Sequence, residues 1–93
     1  MLIQNSETGS RGVFFVETDN ERLAEMDYTL SPGLLIINHT DVNEKLKGKN
    51  VGYQLVDHAA NYARENHLKI IAYCPFAKAV FEKRKAEYSD VVM

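Results

Sequence analysis

The chain has 93 residues, 45% of them apolar, and a formal net charge of −2. That is room for one domain with one core (residues 1–93), and nothing in the overall charge draws the chain to nucleic acid or to a membrane. A single cysteine excludes an internal disulfide, and neither an apolar leader nor a run near the length of a membrane span is present, so the sequence is that expected of a soluble, cytoplasmic protein.

Ile3 to Asn5 reads as a short strand, followed by a turn-rich Glu7-Thr8-Gly9-Ser10. Gly12 to Val16 predicts a strand with apolar residues on both faces. After the tight turn of Thr18-Asp19-Asn20, Ala24, Met26, Tyr28 and Leu30 alternate with Leu23, Glu25, Asp27 and Thr29. That period of two is a strand with one buried face. Ser31-Pro32-Gly33 supplies a turn. Leu34-Leu35-Ile36-Ile37 is a continuous apolar run, the pattern of a strand buried on both faces. The first half is thus an antiparallel meander.

Past His39-Thr40-Asp41 comes the loop Lys45-Leu46-Lys47-Gly48-Lys49-Asn50. Val51, Leu55, Val56, Ala59, Ala60 and Ala63 then recur at three- and four-residue steps, one apolar face of a helix ended by Asn66 and His67. Lys69 to Tyr73 is a second buried-strand candidate, so a strand-helix-strand crossover joins two parallel strands. Pro75 opens a last helix along Ala77, Val80 and Phe81. The fold class is α/β with a mixed sheet, and ligands of such units sit beyond the carboxyl ends of the strands. Those ends are His39-Thr40 and Tyr73-Cys74, beside the start of the glycine-bearing helix.

The loop has the composition of an anion site. Lys45, Lys47 and Lys49 crowd into five residues, and Gly48 and Gly52 flank a helix start, whose free amides and partial positive charge suit a phosphate. It is neither a Walker A loop nor a dinucleotide fingerprint. Glycines kept for turn geometry and close helix packing, and lysines that only solvate a face, account for it equally well.

Lys47-Gly48-Lys49-Asn50-Val51-Gly52, together with His39-Thr40-Asp41-Val42, Cys74-Pro75-Phe76 and Glu87-Tyr88, resembles the small single-domain branch of the GNAT acetyltransferase superfamily. The superfamily's acetyl-CoA motif is a basic residue or Gln, two variable positions, Gly, one variable position, then Gly or Ala. Here Lys47 stands for the commoner Arg or Gln, and Asn50 for the first Gly. Asn tolerates left-handed backbone better than other residues with a side chain, which preserves the cradle. The resemblance implies a CoA cleft between the two parallel strands. Its expected cofactor-binding residues are Thr40, Asp41, Val42, Lys47, Gly48, Lys49, Asn50, Val51, Gly52, Tyr53, Cys74, Pro75, Phe76 and Lys78.

Cys74 and His39 are the candidate catalytic residues. A thiol at a helix N-terminus is in a field that favours thiolate, the form that attacks a thioester; a small buried hydrophobe is the alternative. His39 suits proton removal near neutral pH or, in the other reading, caps the strand. Tyr73 is an acid candidate, but alternation puts it on the opposite face from Cys74. His58 and His67 are expected to face solvent. No spacing resembles a metal site. The function these residues imply is acetyl transfer from acetyl-CoA to a primary amine, macromolecular or polyamine, by a monomer or weak homodimer. The alternative is a non-catalytic acyl-CoA-binding or sensing module; a generic nucleotide-phosphate binder lacks any base-recognition signature.

Overall fold

A computed structural model describes residues 1–93. Five strands form one sheet in chain order: β1 (Gln4–Thr8), β2 (Arg11–Thr18), β3 (Glu21–Ser31), β4 (Leu34–Val42) and β5 (Lys69–Ala72). The first four are antiparallel neighbours, and β5 joins β4 in parallel. Helix α1 (Val51–Glu65) makes the crossover, and α2 (Pro75–Lys83) and the short α3 (Lys85–Tyr88) follow β5. No helix is long and apolar enough to cross a membrane.

The apolar stripe of α1 is the one its spacing predicts: Val51, Leu55, Val56, Ala59, Ala60 and Ala63 are all buried. They meet Phe14, Met26, Tyr28, Leu35, Ile37 and Ile70 from the sheet and Ala77, Val80 and Phe81 from α2 in one core. Full burial of an aliphatic side chain such as Leu55 contributes roughly 1.5–3 kcal/mol. Both long helices therefore lie on one face of the sheet, and the other face is bare. Leu34 and Ile36 point to that bare face and are only half-buried, which corrects the expectation of a strand buried on both sides.

Three of the differences in element boundaries from the sequence reading bear on packing and the site. Glu7 and Thr8 belong to β1, because Glu7 pairs across to Gly12 and its carboxylate accepts from the hydroxyls of Tyr28 and Tyr62, each at 2.6 Å. β4 runs on through His39, Thr40 and Asp41 to Val42, held by β3 alone after β5 has ended. β5 stops at Ala72, and Tyr73 turns out to solvent. His58 is half-buried rather than exposed, its ring edge-to-face on Phe14 at 5.0 Å.

The outer edge of β5 is partly covered by the tail, since the Ile70 amide donates to the Val91 carbonyl at 2.7 Å and the Met93 amide to the Ile70 carbonyl at 3.0 Å. Arg64 anchors this tail with two bonds to the Asp90 carboxylate, at 2.8 and 3.0 Å. A blunted edge is one way a small sheet avoids pairing with other chains.

Candidate acetyl-CoA site

β4 and β5 pair only as far as Ile37 and Ala72. The Ile37 carbonyl then accepts from both Tyr73 and Cys74 amides, at 2.9 and 3.3 Å, as the chain leaves the sheet for α2. β4 continues alone, so a gap opens between it and the start of α2. A bulge sits at the same level: Asp27 is opposite His39 but Tyr28 is opposite Ile37, leaving Asn38 as the extra residue. Its side-chain amide donates to the Thr29 hydroxyl at 2.9 Å.

The bulge reverses which residues face the helices. Without it, alternation from Ile37 would put His39 on the helix side and Thr40 on the bare side. With it, Thr40 lies opposite buried Met26 and faces the helices, while His39 and Asp41 point to the bare face opposite Asp27 and Glu25. Thr40 consequently meets Cys74, whose thiol donates to its hydroxyl at 3.3 Å. His39 is not brought to Cys74; it stands on the far side of the sheet at the same gap.

Cys74 is the N-cap of α2 and is 4% exposed. Burial pushes its thiol up, but the Thr40 hydroxyl and the amides of Ala77, Phe76 and Thr40 together outweigh that and hold it below its ordinary value. Phe76 and Ala77 act by facing the sulfur at the first turn of α2, without a full hydrogen bond to it.

A cavity of about 460 Å³ spans the end of β4 and the start of α1. Thr40, Asp41 and Val42 form one wall, Lys47, Gly48 and Asn50 the rim, and Val51, Gly52, Tyr53 and Phe76 the floor, joined by Leu46, which the sequence reading missed. Leu46 is buried inside the short 3₁₀ turn Glu44–Leu46, a signal a polar loop hides. Gly48 has φ +81° with open space beside it, and Asn50 takes the left-handed conformation, φ 62° and ψ 26°. The first backbone bond of α1 runs from the Gln54 amide to the Asn50 carbonyl at 3.1 Å, so the amides of Val51, Gly52 and Tyr53 are those a helix start leaves free. Gly52 is covered by the Phe76 ring, so both accounts of that glycine, close packing and approach of a ligand, meet at one atom.

The lysines divide. Lys45 is taken by Glu21 in an ion pair at 3.0 Å. Lys47 lines the cavity; Lys49 is exposed outside it. Pro75 starts α2 without lining the cavity. Lys78 borders a different and larger hollow, about 600 Å³, between β5, α2 and the tail, which holds none of the loop residues. Beyond Asn50 and Tyr53 a third hollow of about 410 Å³ continues from the loop cavity, with Gln54, Arg64 and Arg84 on its walls. The Arg84 guanidinium lies over the Tyr53 ring at 4.3 Å. Helical spacing puts Arg84 on the same side of the last helix as Ala77, Val80 and Phe81, but only tertiary packing of α2 against α1 brings it to Tyr53.

A small cradle of free amides, one unpaired lysine and a thiol at a strand gap fits a thioester carried on a phosphorylated arm. A family model described as GCN5-related N-acetyl-transferase matches residues 13–91. Among solved structures, a Staphylococcus aureus protein assigned as a GCN5-like N-acetyltransferase is 35% identical, with TM-score 0.72 over 97% of this chain and 87% of that one. A ribosomal-protein-alanine N-acetyltransferase from Brucella melitensis, 16% identical, shares the fold at TM-score 0.64 over 80% of this chain and 62% of its own. So does an aminoglycoside N-acetyltransferase in complex with CoA, at TM-score 0.59 and 10% identity over 82% and 67% of the two chains. No curated protein matches the chain. The chain belongs to the GCN5-related N-acetyltransferase family.

Proposed function

We propose that this acetyltransferase uses acetyl-CoA as donor and a primary amine as acceptor, with direct transfer through the gap between β4 and β5. The observation that carries the reading is the two-sided gap: the thiol of Cys74 and the hydroxyl of Thr40 on the helix side, and His39 on the bare side. The amides of Val51, Gly52 and Tyr53 and the ammonium of Lys47 hold the pyrophosphate. Arg84, stacked on Tyr53, holds the nucleotide end in the adjoining hollow.

On the bare side the His39 imidazole takes a proton from the acceptor ammonium and later returns it to solvent. The neutral amine attacks the acetyl carbonyl, so that a C–N bond forms and the C–S bond breaks. The Cys74 thiol gives its proton to the departing CoA sulfur and regains the proton released from the nitrogen. Placing base and acid on opposite faces keeps them from neutralising each other.

Intact mass after incubation with acetyl-CoA, with and without a panel of amines, tests this directly. Direct transfer leaves the protein mass unchanged and acetylates an amine, and Cys74→Ala retains part of the rate. An acetyl adduct on the wild type, absent from Cys74→Ala along with all turnover, would replace direct transfer by an acetyl-cysteine intermediate. Acetyl-CoA binding with no amine acetylated would leave the acyl-CoA-binding module.

A further inference from the structure

The helices cover one face of the sheet, and the uncovered face carries a hollow of its own. It encloses about 560 Å³ across β1 to β4, bordered by Ser6, Thr8, Arg11, Asp27, Thr29 and Asn38. Register places these side chains together: Thr8 pairs with Arg11, Arg11 with Thr29, and Asp27 with His39. Arg11 and Asp27 are diagonal neighbours on adjacent strands, a spacing that long side chains can span. Neither is in an ion pair; those of the chain are Lys45 with Glu21 and Arg64 with Asp90. One hollow thus holds a cation and an anion that do not satisfy each other. It runs up to Asn38, the bulge residue, beside which His39 stands at the mouth of the gap.

We propose that this hollow is the acceptor site and that the acceptor is an amino acid of the lysine kind, a primary amine at one end of an aliphatic chain and a carboxylate at the other. The inference rests on the acetyl-transfer reading above. The ammonium is drawn to Asp27, next to His39, and the carboxylate is taken by Arg11, whose planar fork matches it with two parallel bonds. Two strand spacings, roughly 10 Å, separate β2 from β4. The Arg11 side chain spans part of that distance and an extended lysine side chain spans the rest. Glu25 and Asp41 are opposite one another on the same face, a like-charge pair that costs stability and adds to the field drawing an ammonium toward the gap. The hydroxyls of Thr8 and Thr29 leave the acceptor's second amine a polar wall.

Steady-state rates of CoA release with L-lysine and with cadaverine, which is lysine without its carboxylate, test the assignment. The expected kcat/KM is about tenfold higher for lysine, the factor of one modest charge contact. Arg11→Gln removes the difference, and Arg11→Lys restores part of it. Arg11 is exposed, and a thermal melt checks the fold of each variant. Amide chemical shifts on titrating L-lysine without CoA give a readout independent of turnover: changes in residues 8–13, 27–29 and 38–39, lost in Arg11→Gln, support the site. Equal rates for the two amines, a difference that survives Arg11→Gln, or shifts elsewhere would overturn it. If neither amine is acetylated while lysine still shifts those amides, acetyl transfer fails and the site stands; if other amines are acetylated and lysine shifts nothing, the site fails and acetyl transfer stands.

Discussion

Gly52→Val separates the two jobs that Gly52 does. A β-carbon at this position would come within 2.6 Å of Phe76 Cζ and 2.9 Å of Cε2. Both atoms are at the far end of a side chain that is 38% exposed, so the ring rotates outward and the backbone stays. Overpacking of this kind costs about 1–3 kcal/mol, and valine in place of glycine recovers a few tenths in helix propensity. With a shift of about 4–8 °C per kcal/mol in a domain this small, the variant melts lower but remains folded at room temperature. The added side chain also stands over the amides of Val51, Gly52 and Tyr53. Losing one amide bond to a charged phosphate, at about 1.5–3 kcal/mol, weakens CoA by roughly ten- to a hundredfold. Isothermal calorimetry on folded protein reads this. In Gly52→Val/Phe76→Ala the valine takes the room the ring leaves, so its steric cost falls while the amides stay covered and affinity remains low. Wild-type CoA affinity in folded Gly52→Val would refute the cradle; affinity restored in the double variant would assign the effect to the Phe76 ring.

Three further outcomes follow from the same geometry. Only Lys47 lines the cavity, so Lys47→Ala should flatten the decline of CoA affinity with rising salt, whereas Lys49→Ala changes that slope less; equal slopes in the two variants would move the phosphates. Arg84→Ala should weaken CoA severalfold more than dephospho-CoA if Arg84 meets the 3′-phosphate, measured by calorimetry, and an equal loss for both would remove that contact. The hydroxyls of Tyr28, first, and Tyr62 hold the Glu7 carboxyl below the ordinary glutamate range; a depressed carboxyl stabilises the fold above its unfolded pKa, and the contribution goes as pH falls through the lowered value. Melts between about pH 5 and pH 3 should therefore drop more steeply for wild type than for Glu7→Gln, and parallel curves would contradict the linkage.

The helix stripe of α1 was legible because six apolar residues keep a 3.6-residue period that strand or loop cannot use. The loop cavity was legible by resemblance, since Asn50 and Gly52 occupy motif positions whose backbone needs show in residue type alone. The arrangement at the end of β4 was not. His39-Thr40-Asp41 is polar, so the strand looks finished at Ile37, and a bulge at Asn38 leaves no mark in the alternation because Asn38 and every residue from it to Asp41 are polar. The side chains of Arg11 and Asp27 belong to strands whose register is set by burial of Phe14 and Met26 on the other face, and only that register makes them neighbours.

One inserted residue organises the whole site. The molecule is 20 Å thick along its shortest axis, a single sheet with one layer of helices, and β4 and β5 part beyond Ile37 and Ala72, where the proposed transfer crosses from one side to the other. In the proposed mechanism donor and acceptor then arrive from opposite faces without sharing walls. That division requires neighbouring residues of one strand to serve different faces at the gap. Asn38 accomplishes it: by shifting alternation one step, it turns Thr40 toward the thiol of Cys74 and His39 toward Asp27. Without the bulge His39 would crowd the thiol, and Thr40, which cannot take up a proton, would stand where the proposed mechanism has the acceptor amine lose one.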